Sequence, residues 1–450
     1  MRRHTVRGRS RSAPPGTPIA HRSVAFRGEN RPEKKHKWHF AFLVGLERKQ
    51  KWAYAFFVHP EKFADNPTGF LVPIAGTDQR WGAWSHVAFV PDPLPSETPE
   101  LSAATFNVVA NARAALAALD ASARQLPNPA LLRQPTLRQE AQSTSALEGT
   151  YAPLEEVLGV DADERPADAA MREVFNYVIA AEHAFDWIED GRPLTIGMLE
   201  SMQGILVDGT SADTRQAGRI RTSQVVIGSH RGAQVRDARF IPPPPGIDFE
   251  GRVRDCIDWV MQPNDAIDPL VRAGMAHYQF ETLHPFNDGN GRIGRLLIVL
   301  QLHLSGVLSE PTLTVSPWFE ARRAEYYDRL LAVSTNGDWD GWIRFFATGV
   351  GAAANATGRQ LTDLIRMQHE LKARVRTAGL RAENAVRLVD YALAQPIFTV
   401  RNVSQHLAVT MPRARTLVSQ LVDADVLRQY DDSTYGRRFS APDILAILLR

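Results

Sequence analysis

The chain has 450 residues, 44% of them hydrophobic and 23% charged, with a net charge of +2. These values exclude wholesale disorder and leave room for roughly two to four domains at about 100–200 residues each. The richest apolar run, residues 296–304, falls far short of the roughly 20 residues of a membrane helix. One cysteine, Cys256, excludes an internal disulfide framework and a multi-cysteine zinc site.

Charge is unevenly spread. Residues 1–37 carry eleven Lys and Arg against two acids, which leaves 41 against 48 for the remainder. Six of the seven lysines (Lys34, Lys35, Lys37, Lys49, Lys51 and Lys62) precede position 63, and only Lys372 follows. Residues 1–70 therefore read as a basic extension, disordered to about 35, with an aromatic-rich 38–58 that suggests a β-hairpin. Such an arm either touches nucleic acid or an acidic surface, or is simply a solvated tail. Its start lacks the apolar segment of a secretory signal, so a cytoplasmic protein without a membrane anchor is expected.

Residues 91–100 form a proline-punctuated linker. Apolar spacing then predicts helices over 102–125, 136–145, 168–190 and 195–206. Residues 218–241 alternate β-branched and polar side chains around a Gly-containing turn, which reads as a β-hairpin stopped by Pro242–Pro245. Helices resume at 248–261, 268–283, 291–305, 319–334, 338–354 and 356–378. A separate C-terminal segment shows helices near 384–394, 400–407 and 411–424, with short strands at 426–430 and 437–440. No internal repeat is present, and the chain is mostly α.

The chemistry concentrates in His284-Pro-Phe-Asn-Asp-Gly-Asn-Gly-Arg-Ile-Gly-Arg295, between two helical segments. Gly289 and Gly291 permit positive φ and close backbone approach, so that several amides converge on one anion. A helix begins there, and its N-terminus favours negative charge. Arg292 and Arg295, three apart, share a face and can both reach phosphate oxygens. Asp288 is a hard oxygen ligand suited to Mg²⁺, and His284 can take a proton from a hydroxyl near neutral pH.

These residues match, without a departure, the signature His-Pro-Phe-x-Asp/Glu-Gly-Asn-Gly-Arg-x-x-Arg, and the chain thereby resembles Fic domain proteins. The resemblance covers roughly residues 75–450. It implies a mostly α fold: a helical Fic core with a β-hairpin flap, plus a C-terminal winged helix-turn-helix domain. The divisions expected are the extension 1–70, a Fic N-terminal region at 75–165, the catalytic core at 166–378 and the winged helix at 379–450.

The activity implied is transfer of AMP from ATP to a Ser, Thr or Tyr hydroxyl of a protein. His284 is then the base, Asp288 the Mg²⁺ ligand and Asn290 an α-phosphate contact. The amides of Gly289–Gly291 form the anion hole, Arg292 and Arg295 grip the outer phosphates, and Ile293 and Gly294 line the ATP site. Related Doc toxins carry Lys at the place of Gly291 and transfer a phosphoryl group, so the glycine favours adenylyl transfer. Arg219–Gly228 followed by Phe240-Ile-Pro-Pro-Pro-Pro245 resembles the family's flap, where Gln224, Val225, Val226 and Ile227 offer main-chain bonds to a target segment. Tyr326-Tyr327 resembles the tyrosine pair at the adenine pocket, with Tyr327 the expected contact. The alternative is two core aromatics.

Thr144-Ser-Ala-Leu-Glu148-Gly149 fits the family's inhibitory pattern Ser/Thr-x-x-x-Glu-Gly/Asn. Glu148 is expected to pair with Arg295 and repel the γ-phosphate, so that ATP binds unproductively. In some relatives the equivalent glutamate also supports AMP removal, which leaves a bifunctional or de-adenylylating enzyme open. A third alternative is a DNA-binding regulator that uses the Fic site as a nucleotide sensor. In the winged helix, Arg413 and Arg415 open the second helix and Arg437 and Arg438 mark the wing, all four being candidate DNA contacts. Nine Arg against seven acids is thin for that role, so docking to protein or dimerising is an equal alternative. Self-modification and a homodimer are further partner expectations.

Overall fold

The computed structural model describes residues 60–63, 66–78, 82–124, 130–160, 165–228, 235, 238–380, 383–431 and 436–450. The basic stretch 1–37 and the hairpin expected over 38–58 lie outside them. The described chain is helical with small antiparallel sheets. Among the described residues no helix is long and apolar enough to cross a membrane.

A long hairpin comes first, β1 (Gly69–Asp78) and β2 (Gly82–Pro91), paired from Gly69↔Pro91 to Asp78↔Gly82. Periodicity does not announce it, because Pro73, Gly69 and Gly76 interrupt the alternation. Five helices follow: α1 (Ala103–Arg124), α2 (Ala130–Leu147), α3 (Leu154–Leu158), α4 (Ala169–Glu189) and α5 (Ile196–Val207). Helix α2 is longer than the 136–145 expected, because it carries Pro135 inside rather than starting after it. Asp168 and Thr195 cap α4 and α5 by accepting from Met171 N and Met198 N, a standard device for satisfying first-turn amides.

The segment expected as a hairpin over 218–241 is strand only at β3 (Ile227–Gly228) and β4 (Ala238–Phe240). Residues 218–226 turn aside because their polar groups bond the loop after the central helix instead of a neighbouring strand. That centre is α6 (Ile247–Met261), α7 (Pro269–Leu283) and α8 (Asn290–Leu304). Then come α9 (Ser316–Glu320) and α10 (Arg323–Asn336), where one helix over 319–334 was expected, and α11 (Trp339–Thr377), where two were. Helix α11 runs unbroken along α1. Gly351 lets the two backbones close in, since a Cβ there would lie 3.2 Å from Ala112.

The C-terminal segment comprises α12 (Glu383–Ala394), β5 (Ile397–Thr399), α13 (Val400–His406), α14 (Met411–Asp423), β6 (Arg428–Gln429), β7 (Arg438–Ser440) and α15 (Pro442–Leu448). Its strands form a sheet of order β5-β7-β6. Sequence spacing finds α12, α13 and α14 but not β5 or α15. One apolar core runs from α1, α7 and α11 into this segment, joining Leu147 and Leu158 to Leu388, Val389 and Ile397. A second core lies under α4, α5 and α8. A third joins Phe63, Phe89 and Phe240 beneath the flap, with ring centroids 5.6–6.4 Å apart.

Candidate active site

Helix α7 ends and α8 begins on either side of one short loop, and that loop holds the signature residues. His284 is the C-cap of α7 in the left-handed region, φ +52° and ψ +63°, which costs a non-glycine residue energy that its surroundings must repay. Arg221 does so. Buried to 2% exposure, its guanidinium donates to the carbonyls of His284 (2.8 Å), Pro243 (2.6 Å), Ser223 (3.0 Å) and Leu283 (3.3 Å). Its backbone N–H donates to Pro285 O at 2.9 Å. One side chain thus ties the flap to the catalytic loop, and no sequence motif singles it out from the other arginines.

The His284 ring is half-buried, with Nδ1 3.4 Å from Glu281 O. A carbonyl there calls for the Nδ1–H tautomer, which leaves Nε2 bare as an acceptor. Burial, helped by the Arg221 charge, pushes the imidazole pKa down to about 4. The ring is therefore neutral at physiological pH, the form a base needs.

Gly289 is the N-cap of α8 at φ +88°, a conformation open to glycine and strained for other residues. It has no side chain to cap the helix, so the first-turn amides face the site without one. Asn290 is spent locally: Phe286 N donates to its Oδ1 (2.8 Å) and its Nδ2 donates to Phe286 O (2.7 Å). Its contribution to an anion is thus its backbone N–H. Gln203 of α5 donates to Asp288 O at 3.2 Å and accepts from Gly218 N, bracing the loop from the other side.

Arg292 is buried and meets Asp288 at 2.7 Å and Glu173 at 3.4 Å. Arg295 is fully buried. Its Nε donates to Thr144 Oγ1 (2.7 Å), and its Nη2 donates to Thr144 O (3.1 Å) and to Glu148 Oε1 (2.6 Å). Burial works against the Glu148 charge, yet the Arg295 guanidinium outweighs it and holds the carboxyl below its usual range. The same pairing raises the Arg295 pKa against its own desolvation. Glu148 lies just past the end of α2, between Leu147 and Gly149, whose φ is +91°.

Glu281 sits one turn before His284, nearly buried, with Oε1 lacking a hydrogen-bond partner. Burial pushes its pKa up to about 8 despite Arg295. Gly294 makes room for it, since a Cβ there would lie 2.4 Å from Glu281 Oε1, and its carbonyl is 2.9 Å from His277 Nδ1. His277 Nδ1 therefore carries the proton, and its Nε2 accepts from the Tyr326 hydroxyl at 2.6 Å. Tyr326 is thus a core aromatic. Tyr327 is half-buried, its ring centroid 5.1 Å from that of Tyr326. Ile293 is core as well.

In the flap, Gln224 donates to Pro242 O at 3.0 Å, and Val225, Val226 and Ile227 are half-buried. Phe89 N of β2 donates to Ile241 O at 2.9 Å, so the first hairpin backs the flap. In the C-terminal segment Arg413, Arg415 and Arg437 are exposed. Arg438 is engaged by Asp431 at 2.7 Å and lies over the Tyr430 ring.

Residues 106–186 match the Fic/DOC family N-terminal model and residues 193–302 match the Fic/DOC family model. The chain is 36% identical over 181 residues to protein adenylyltransferase fic-1 of Caenorhabditis elegans, covering 40% of this chain and 30% of that protein. It is 31% identical over 212 residues to protein adenylyltransferase Fic of Aedes aegypti, covering 46% and 36% respectively. The chain therefore spans about a third of the length of these curated relatives. Among solved structures, a Fic family protein from Desulfovibrio desulfuricans aligns with 77% of this chain and 98% of its own at 23% identity and a TM-score of 0.48. Fic-1 of C. elegans aligns with 58% of this chain and 74% of its own at 24% identity and a TM-score of 0.44.

Proposed function

We propose that this chain, which matches the Fic/DOC family models over residues 106–186 and 193–302, is a protein adenylyltransferase restrained by its own Glu148. The observation that carries the reading is one loop in which a neutral imidazole with a bare Nε2 adjoins a glycine-headed helix N-terminus bearing two buried arginines. Such an N-terminus is a ready anion site, and the base lies beside it.

His284 Nε2 takes the proton of a Ser, Thr or Tyr hydroxyl. The oxygen attacks the α-phosphorus of ATP, and pyrophosphate leaves. The amides of Gly289, Asn290 and Gly291 meet the charge that develops on the α-phosphate. Arg292 and Arg295 hold the outer phosphates, and Tyr327 borders the adenine. The flap aligns the target chain by main-chain bonds.

Asp288 is a half-exposed hard oxygen beside this cradle, which fits Mg²⁺, an ion commonly held by one or two carboxylates together with phosphates. Among the described residues no cluster of three or more His, Cys, Asp or Glu side chains would hold a metal by itself, so the remaining ligands would come from the nucleotide and water. When bound, the ion neutralises phosphate charge.

Glu148 occupies Arg295 where the γ-phosphate needs it, and two anions cannot share that guanidinium cheaply. The test uses ATP radiolabelled on the α- or the γ-phosphate, with Mg²⁺, for wild type, Glu148→Gly and Glu148→Gly/His284→Ala. The expected result is α-label on protein, raised by the first substitution and abolished by the second. Transfer of γ-label would replace adenylyl by phosphoryl transfer, and no transfer of either label would leave a nucleotide sensor. The exposed Arg413, Arg415 and Arg437 favour a second role for the C-terminal segment as a winged helix on DNA. A mobility shift lost in Arg413→Ala/Arg415→Ala tests it.

A further inference from the structure

The C-terminal segment is built onto the turn that presents Glu148. Gln395, between α12 and β5, is buried, and its side-chain amide donates to Leu158 O (3.2 Å), Val160 O (3.2 Å) and Ile397 O (3.0 Å). All three acceptors are carbonyls, so the amide nitrogen is the end that faces them. The first two belong to α3 and the residues just after it. Leu158 O is also taken by Arg138 Nη1 at 2.9 Å, and Arg138 lies on α2, the helix that leads into Glu148. One carbonyl is thus the joint at which the inhibitory helix and the C-terminal segment meet.

Apolar packing runs through the same joint. Leu147, directly before Glu148, and Leu158 share a core with Leu388, Val389 and Ile397, and α12 packs along α2. A Cβ on Gly159 would lie 3.5 Å from the Ile397 side chain. At the other end of the segment, Tyr430 lies beside Glu155 of α3, and burial together with that carboxylate raises the pKa of the phenol. Between Glu148 and α3 lie only residues 149–153. That tether is itself fastened by Thr150, whose N–H donates to Ser145 O (2.9 Å) and whose hydroxyl donates to Glu173 (2.8 Å). Helix α3 is thus joined to the helix that leads into Glu148 both by this short tether and by Arg138, which donates to Val157 O (3.2 Å) and Leu158 O (2.9 Å).

We infer that Gln395 is a positioning residue for Glu148: by clamping α3 it holds the carboxylate on Arg295, and a signal that shifts the C-terminal segment releases it. The inference rests on the reading of Glu148 as the restraint. It assigns the source of relief to a segment outside the residues that match the family models.

The test measures self-incorporation of α-labelled AMP by the full chain in two backgrounds. Gln395→Ala, which strips a buried donor from three carbonyls, should raise incorporation roughly tenfold or more where Glu148 is present. It should change nothing in Glu148→Gly. Tyr430→Phe, which removes the hydroxyl beside Glu155 and leaves the ring in place, should raise incorporation by a smaller factor in the same Glu148-dependent way, and it decides the matter if Gln395→Ala does not fold. A merely structural role would lower activity in both backgrounds. The inference is overturned if both variants stay at wild-type level while Glu148→Gly is active, or if they act equally in both backgrounds. Hydrogen exchange separates the two layers of the argument. Faster exchange at residues 145–150 in Gln395→Ala, with Glu148→Gly inactive, keeps the joint and sinks the restraint. Unchanged exchange there sinks the joint.

Discussion

A Cβ on Gly291 would lie 2.1 Å from Glu148 Oε1 and 3.0 Å from Arg295 Nη1. The glycine leaves the space in which the Glu148–Arg295 ion pair forms. Gly291→Ala is expected to cost about 1–3 kcal/mol by overpacking. In Glu148→Gly the same change should cost less, because the clashing oxygen is gone. A double-mutant cycle on unfolding free energy checks this, and strict additivity would refute the steric account. Glu148→Gly alone leaves a buried guanidinium with Thr144 but without its carboxylate. It should lower the thermal midpoint, and ATP should restore more of that loss than it adds to wild type.

Arg221 acts at a distance from any phosphate, yet it fastens the backbone on which His284 stands. Arg221→Lys keeps the charge and loses the planar fork that serves four carbonyls. The expected loss is about 3 kcal/mol of stability, together with a large fall in adenylyl transfer in the Glu148→Gly background. Nucleotide affinity should fall far less, since the α8 cradle does not depend on Arg221. Equal losses of transfer and of ATP affinity would place Arg221 in the phosphate site instead.

The low pKa of His284, about 4, bears on the acid limb of the reaction. With the neutral ring as the proposed base, activity should be full above that value and fall as pH drops through it. The profile of kcat/KM reports groups of the free enzyme, so its acid limb in Glu148→Gly should lie at or below about 4 rather than at the ordinary imidazole value of about 6.5. The Glu148 charge itself raises the His284 pKa, so its removal moves the limb further towards acid. A limb near 6.5 would mean that the ring is solvated.

Glu281 makes the opposite kind of prediction. Its folded pKa, about 8, lies above the roughly 4.3 of an unfolded glutamate. Between the two, the unfolded chain has lost a proton that the fold retains, so this group's contribution to stability declines as pH rises. Glu281→Gln removes the dependence. Unfolding free energies at pH 5 and pH 8 should show the variant gaining on wild type, by up to about 1.4 kcal/mol per pH unit. Parallel curves would mean that Glu281 is ionised throughout.

The catalytic loop was legible in the residue order alone. A histidine, an aspartate, two glycines and two arginines at fixed intervals determine a turn, a helix start and an anion cradle through local geometry and charge. The resemblance of Thr144–Glu148 to the family's inhibitory pattern implied Arg295 as the partner of Glu148, and the two meet at 2.6 Å. Most helices were legible too, because a helix writes its period into consecutive residues. The β1–β2 hairpin, β5, α15 and the unbroken α11 were not, because prolines, glycines or brevity blur the pattern there and packing decides. Tertiary structure alone supplied the partners brought together from far along the chain. Arg221 reaches the His284 carbonyl, Gly294 makes room for Glu281, and Gln395 and Arg138 share Leu158 O. Each is a bond or a cavity between residues that carry no mutual spacing rule. Only the packed fold, by burying them side by side, sets how strongly His284, Glu148 and Glu281 hold their protons.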